Sequence, residues 1–136
     1  MLDTPAFIYY LEEGSPYRDG ATAMFQRIQA GRIKASASTL VLTELLVPFH
    51  RRGDHARAGQ LRDALEGLAN LQFIPVDIDV ASRAASVRAI HGLHTPDAIH
   101  VATALDRRAD WLVTNDSRLR RVASDGVRIW LFDDHV

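Results

Sequence analysis

Short apolar runs of strand length alternate along this chain with longer stretches whose apolar positions recur at helical spacing. Met1–Thr4 reads as the end of a first strand, and Ala6–Glu12 as a short apolar helix broken by Gly14, Ser15 and Pro16. Between Tyr17 and Ala30 the residues Ala21, Met24, Phe25 and Ile28 mark one helical face, and Gly31 closes that helix. Arg32–Ala37 reads as a second short strand. Ser38 or Thr39 then caps a helix carrying Leu42, Leu45 and Leu46. Pro48 should kink or end it, because proline has no N–H to donate and its ring crowds the preceding turn.

His55–Leu68 forms a further helix with Leu61, Ala64, Leu65 and Leu68 on one face, and Leu71–Val76 a strand. Asp77 or Asp79 caps a helix running to about Ile90. Thr95-Pro96-Asp97 is a compound start signal: a capping hydroxyl, a proline at the first helical position and an acid in the first turn. That helix should reach about Arg108. Trp111–Thr114 is a strand, Asp116–Val122 a short helix and Val127–Phe132 a last strand. Strands separated by helices imply right-handed crossovers and a mainly parallel sheet covered on both faces. The expected fold is therefore one α/β sandwich spanning residues 1–136, with no internal repeat or linker.

Composition narrows the chemistry. There is no cysteine, which excludes disulfides, thiolate zinc sites and a cysteine nucleophile. Asp3 and the Glu12-Glu13 pair come too early for a secretory segment, and no run approaches the length of a membrane span, so a cytoplasmic protein is expected. The formal net charge of −1 gives the whole molecule no strong field for nucleic acid. Yet of sixteen basic residues only Lys34 is lysine, and arginine's planar fork is the better phosphate partner. Genomic base composition explains that usage equally well.

Four acids carry the candidate chemistry. Ligands of open α/β sheets bind beyond the carboxyl ends of the strands. Asp3 and Asp116 follow strands, while Glu44 and Asp97 stand near helix starts, which in a parallel sheet lie at the same edge. Carboxylates gathered there repel one another and take up protons or a cation. Oxygen-only ligation suits Mg²⁺ or Mn²⁺ better than Zn²⁺. Taken singly, Asp97 is explained by a favourable helix start and Asp116 by capping. Glu44 beside an apolar face and Asp3 in an apolar segment are harder to dismiss, and it is the conjunction that points to a site.

These residues resemble the PIN domain, and within it the VapC-like toxins of bacterial toxin–antitoxin pairs. The resemblance rests on Leu2-Asp3-Thr4 with Phe7–Glu12, on Thr43–Val47, on Thr95–Ala104 and on Leu112–Asp116, in that order and spacing. It implies a three-layer α/β/α sandwich and a Mg²⁺- or Mn²⁺-dependent endoribonuclease. It also implies neutralisation by a small VapB-like antitoxin and a homodimer. Carried over, Asp3 and Asp97 correspond to direct metal ligands, and Glu44 and Asp116 to the remaining acids, acting directly or through water. Thr4, Thr114 and Asn115 correspond to supporting polar positions. Pro5 departs from the Asn or Ser found in many relatives, and the first strand has only two residues before Asp3.

Arg118, Arg120 and Arg121 follow Asp116 closely and are the leading candidates to hold RNA phosphates, ahead of Arg51 and Arg52. His91, His94 and His100 match no zinc spacing and are expected at the surface or behind the site. Asp133-Asp134-His135 reads as a solvated tail. A response-regulator receiver would want an acidic pair after the first strand and a late lysine, and both are missing. Neither GxxxxGK[ST] nor GxGxxG occurs. The main competing function is a PIN-like module that cleaves nothing and acts through a protein partner.

Overall fold

In the computed structural model, which describes residues 1–135, Leu2 joins the two halves of the sheet. It bridges Ala37 on one side and Val113 on the other, both in parallel. Its N–H donates to the carbonyl of Ser36 at 2.7 Å, the N–H of Asp3 to that of Val113 at 2.9 Å, and the N–H of Val113 to that of Met1 at 2.9 Å. Beyond Ala37, strand β1 (Ala35–Ser38) pairs in parallel with β2 (Leu71–Ile74); beyond Val113, β3 (Trp111–Thr114) pairs in parallel with β4 (Arg128–Leu131). The order across the sheet is β2, β1, Leu2, β3, β4. The expected first strand shrinks to this bridge because Thr4 already begins a helix.

Period-two alternation sends successive residues to opposite faces. Leu2 and Val113 join Phe7, Phe25, Ile28, Val41 and Leu65 in one core cluster. It is covered by α1 (Thr4–Leu11), α2 (Arg18–Gln29), α3 (Leu40–Arg51) and α4 (His55–Glu66). Met1 and Leu112 join Val80, Val87, Val101, Leu119 and Val122 in the other. There the cover is α5 (Ile78–His91), α6 (Thr95–Asp106) and a 3₁₀ segment, Ser117–Asp125. The result is the expected three-layer sandwich, and among the described residues every strand pairing is parallel.

Several local signals resolve differently from the sequence reading. Asp77, not Asp79, caps α5, accepting from the N–H of Val80 at 2.9 Å. The hydroxyl of Ser38 accepts from Leu40 N–H at 3.2 Å, whereas Thr39 makes no capping bond. Helix α6 starts one residue earlier than its signal implied: His94 is the cap, Thr95 is already helical and its hydroxyl caps nothing. Residues Arg32 and Ile33 stay out of β1 because their N–H groups bond back to the carbonyl of Arg27 at the end of α2.

Pro48 does not end α3, which continues to Arg51. It leaves the carbonyl of Glu44 without its helical donor, but burial of Val41 and Leu45 holds the helix together. Nor is Asp133-Asp134-His135 a free tail. Phe132–His135 forms a 3₁₀ turn tied down by Tyr17 and Asn115 to Asp133, by Arg120 to Asp134 at 2.7 Å and by Trp130 stacked on His135. Among the described residues no helix is long and apolar enough to cross a membrane.

Candidate active site

Because the strands run parallel, their carboxyl ends share one rim, and α1, α3 and α6 all start there. Asp3 leaves Leu2 directly into α1 and caps it, with Oδ1 accepting the N–H of Thr4 at 2.7 Å. Its Oδ2 accepts the hydroxyl of Thr114, at the end of β3, at 2.6 Å. The side chain is almost fully buried and both oxygens are oriented.

Glu44 lies just over one turn into α3, beside them. One oxygen, Oε2, accepts a hydrogen bond from the hydroxyl of Thr4 and stands 3.2 Å from Nε2 of His100. That same nitrogen lies 3.3 Å from Oδ1 of Asp3, so the imidazole forks between two carboxylates. Burial pushes the Glu44 carboxyl up, but the hydrogen bonds from His100 and Thr4 outweigh it, and the group is held below the usual carboxylate range. For His100 the balance is the reverse in sign: burial lowers it, while the hydrogen bond to Glu44 and the charges of Asp3, Glu44 and Asp97 raise it overall. Its Nδ1 is buried and has no hydrogen-bond partner.

Asp97 sits in the first turn of α6, three residues before His100 and on the same face. Partial burial raises its carboxyl above the normal range, and the nearby charges of Asp116 and Asp3 add to that, against relief from Arg118 and His100. Asp116 caps the 3₁₀ segment through the N–H of Arg118 at 2.9 Å. The Arg118 guanidinium grips the same carboxylate at 2.5 Å and lies 3.5 Å from Asp97. The side-chain hydrogen bonds from Arg118 therefore hold Asp116 below its usual value. Thr114 links the two halves, donating to Asp3 and accepting the N–H of Asp116 at 3.2 Å.

A family model described as the PIN domain matches residues 1–125. The chain belongs to the PIN-domain family. Its fold is shared by solved structures at low identity. A chain of a toxin–antitoxin complex from Klebsiella pneumoniae is 22% identical, with a TM-score of 0.68 over 96% of this chain and 95% of that one. VapBC2 from Rickettsia felis, bound to a DNA fragment from its promoter, gives 16% and 0.75 over 96% of each chain. DNA-bound VapBC from Salmonella typhimurium gives 20% and 0.70 over 97% and 96%. No curated protein sequence matches the chain.

This PIN domain brings Asp3, Glu44, Asp97 and Asp116 to one edge, with Thr4 and Thr114 bonded to two of them. Asn115 is placed differently: its amide donates to the Tyr9 hydroxyl at 3.0 Å and its carbonyl accepts the N–H of Asp133 at 2.9 Å, bracing the C-terminal turn. Arg118 is at the acids, whereas Arg120 is paired with Asp134 and Arg121 donates to backbone carbonyls of Arg118 and His91. His100 is not a surface group. It stands behind the site, the other of its two expected places; the i, i+3 spacing puts it on the Asp97 face of α6, but its partners Asp3 and Glu44 come from other elements.

Among the described residues no three acidic or histidine side chains form a ready-made cage for an ion. A magnesium-like ion does not require one, since it typically takes one or two carboxylates and keeps several waters. The all-oxygen acids fit such an ion, and the raised Asp97 carboxyl marks an excess of negative charge that a cation would relieve.

Proposed function

We propose that this PIN domain, one domain over residues 1–136, is a Mg²⁺- or Mn²⁺-dependent endoribonuclease and the toxin of a toxin–antitoxin pair. The observation that carries the reading is the gathering of Asp3, Glu44, Asp97 and Asp116 on one rim with Asp97 raised by its acidic neighbours. Asp3 and Asp97 would hold the ion, with Glu44 and Asp116 direct or through water; bound there, it would acidify a water and neutralise charge on the phosphoryl oxygens.

The protein's own groups set the geometry. Thr114 and the N–H of Thr4 fix the two oxygens of Asp3, and His100 with Thr4 fixes Glu44 as a carboxylate. An ionised Glu44 or Asp116 can orient the attacking water and accept its proton. Arg118, beside both Asp97 and Asp116, would meet a phosphate once an ion takes over those acids, with Arg120 and Arg121 further along the segment. The structural neighbours belong to toxin–antitoxin and VapBC complexes, which supports a VapB-like antitoxin as partner, and the family resemblance supports a cytoplasmic homodimer.

The test is cleavage of RNA by pure protein. Asp97→Asn should lower the rate about a hundredfold or more, and chelation should abolish it until Mg²⁺ or Mn²⁺ returns. Full activity of the variant would overturn the reading. One observation favours a second reading: Arg118 already supplies a cation to Asp97 and Asp116. A catalytically silent module acting through a protein partner would keep that pairing and take up no Mn²⁺ on calorimetric titration.

A further inference from the structure

The opposite edge of the sheet, where the strands begin, carries the reverse charge. A cavity of about 550 Å³ there is lined by Arg27, Arg32, Lys34, Trp111 and Trp130, with apolar side chains at its floor. A second cavity of about 310 Å³ shares Met1, Lys34, Ala35 and Asp110 with the first and adds Arg107 and Arg108, so the two form one cleft. Arg128, at the start of β4, lays its guanidinium 4.0 Å from the centre of the Trp111 ring. All these cations are exposed, and none of them is in an ion pair among the described residues. Among the described residues Asp110 is the only acid lining the cleft.

We propose that this cleft is a second RNA-binding surface that holds single-stranded phosphodiester backbone away from the carboxylate rim and stacks bases on Trp111. Cations free of acidic partners are available to phosphates, whereas Arg118 and Arg120 on the far rim are engaged. An exposed indole beside them supplies the sequence-tolerant stacking that separates single-stranded RNA from a mere polyanion. Each strand is four residues long, so the two edges stand about 13 Å apart across the sheet, plus the loops. An RNA held here therefore reaches the acids only if it is long enough to pass round the molecule. The proposal rests on the ribonuclease reading for the choice of RNA over other polyanions.

Both tryptophans of the chain line this cleft, so their emission reports occupancy directly. The experiment titrates the full chain in EDTA, where cleavage is blocked, with a 20-mer of oligouridylate at several salt concentrations. Expected are quenching of tryptophan emission and, in the combined variant Arg27→Gln, Arg32→Gln, Lys34→Gln, binding about tenfold weaker with the log Kd–log salt slope reduced by about 2. These side chains are exposed, and an unchanged Tm confirms the fold of the variant. Wild-type affinity and slope in that variant, or absence of quenching, would overturn the proposal. So would sodium polyglutamate quenching as effectively as the RNA, which would make the cleft a surface for acidic proteins. Loss of RNA cleavage with RNA binding intact would count against the ribonuclease reading and leave this one standing.

Discussion

His100 is held by one nitrogen and left bare at the other, and the asymmetry says which tautomer it needs. Nδ1 faces the interior with no donor or acceptor, while Nε2 stands within 3.3 Å of oxygens from both Asp3 and Glu44. A proton on Nε2 is therefore shared between two carboxylates that would otherwise repel each other. Glutamine carries its amide nitrogen about as far from the backbone as Nε2, and asparagine only as far as Nδ1. His100→Gln should retain most of the Mn²⁺ affinity measured by calorimetry, while His100→Asn should lose about ten- to a hundredfold, the usual effect of removing a group that orients a ligand. Equal losses in the two variants would mean that the ring serves only to fill space.

At the scale of elements, α3 and α6 carry the site on opposite faces of the sheet, and each shows what its sequence pattern conveys. Apolar spacing in α6 and the run Trp111–Thr114 were legible because burial on a face imposes a period. Pro48 was misleading because a proline rule describes local cost, and the packing of Val41 and Leu45 outweighs it. That cost should be measurable. Proline inside a helix forfeits roughly 3 kcal/mol, and its stiffening of the unfolded chain returns about 1 kcal/mol at most. Pro48 is exposed, so Pro48→Ala should raise stability by about 1–2 kcal/mol in urea unfolding, as the Glu44 carbonyl regains its donor. An unchanged midpoint would mean that the ring sits in the last turn without strain.

Across the whole molecule a net charge of −1 conceals an acidic rim at one sheet edge and a basic cleft at the other. The four acids were legible in sequence because parallel topology assigns strand ends and helix starts to one edge. His100, the Arg118 clamp and the cleft were not, since they depend on which side chains meet across elements. The acidic rim sets function against stability, and Asp97 gives the sign. Folding raises its carboxyl above the unfolded value, so its contribution to stability is complete below the unfolded pKa and is lost as pH rises through the folded one. At neutral pH the ionised group therefore opposes folding, whereas Glu44 and Asp116, held low, favour folding until pH falls through their folded values. Metal-free Asp97→Asn should accordingly melt above wild type at pH 7, with the gap closing as the solution is acidified. Added Mn²⁺ should reverse the order, because an ion bound only by the folded state stabilises wild type by about 2.7 kcal/mol at a hundred times its Kd and does little for the variant. If the variant melts below wild type without metal, the Arg118 pairing outweighs burial and acidic crowding at Asp97; if Mn²⁺ shifts both equally, Asp97 is not one of the groups that hold it.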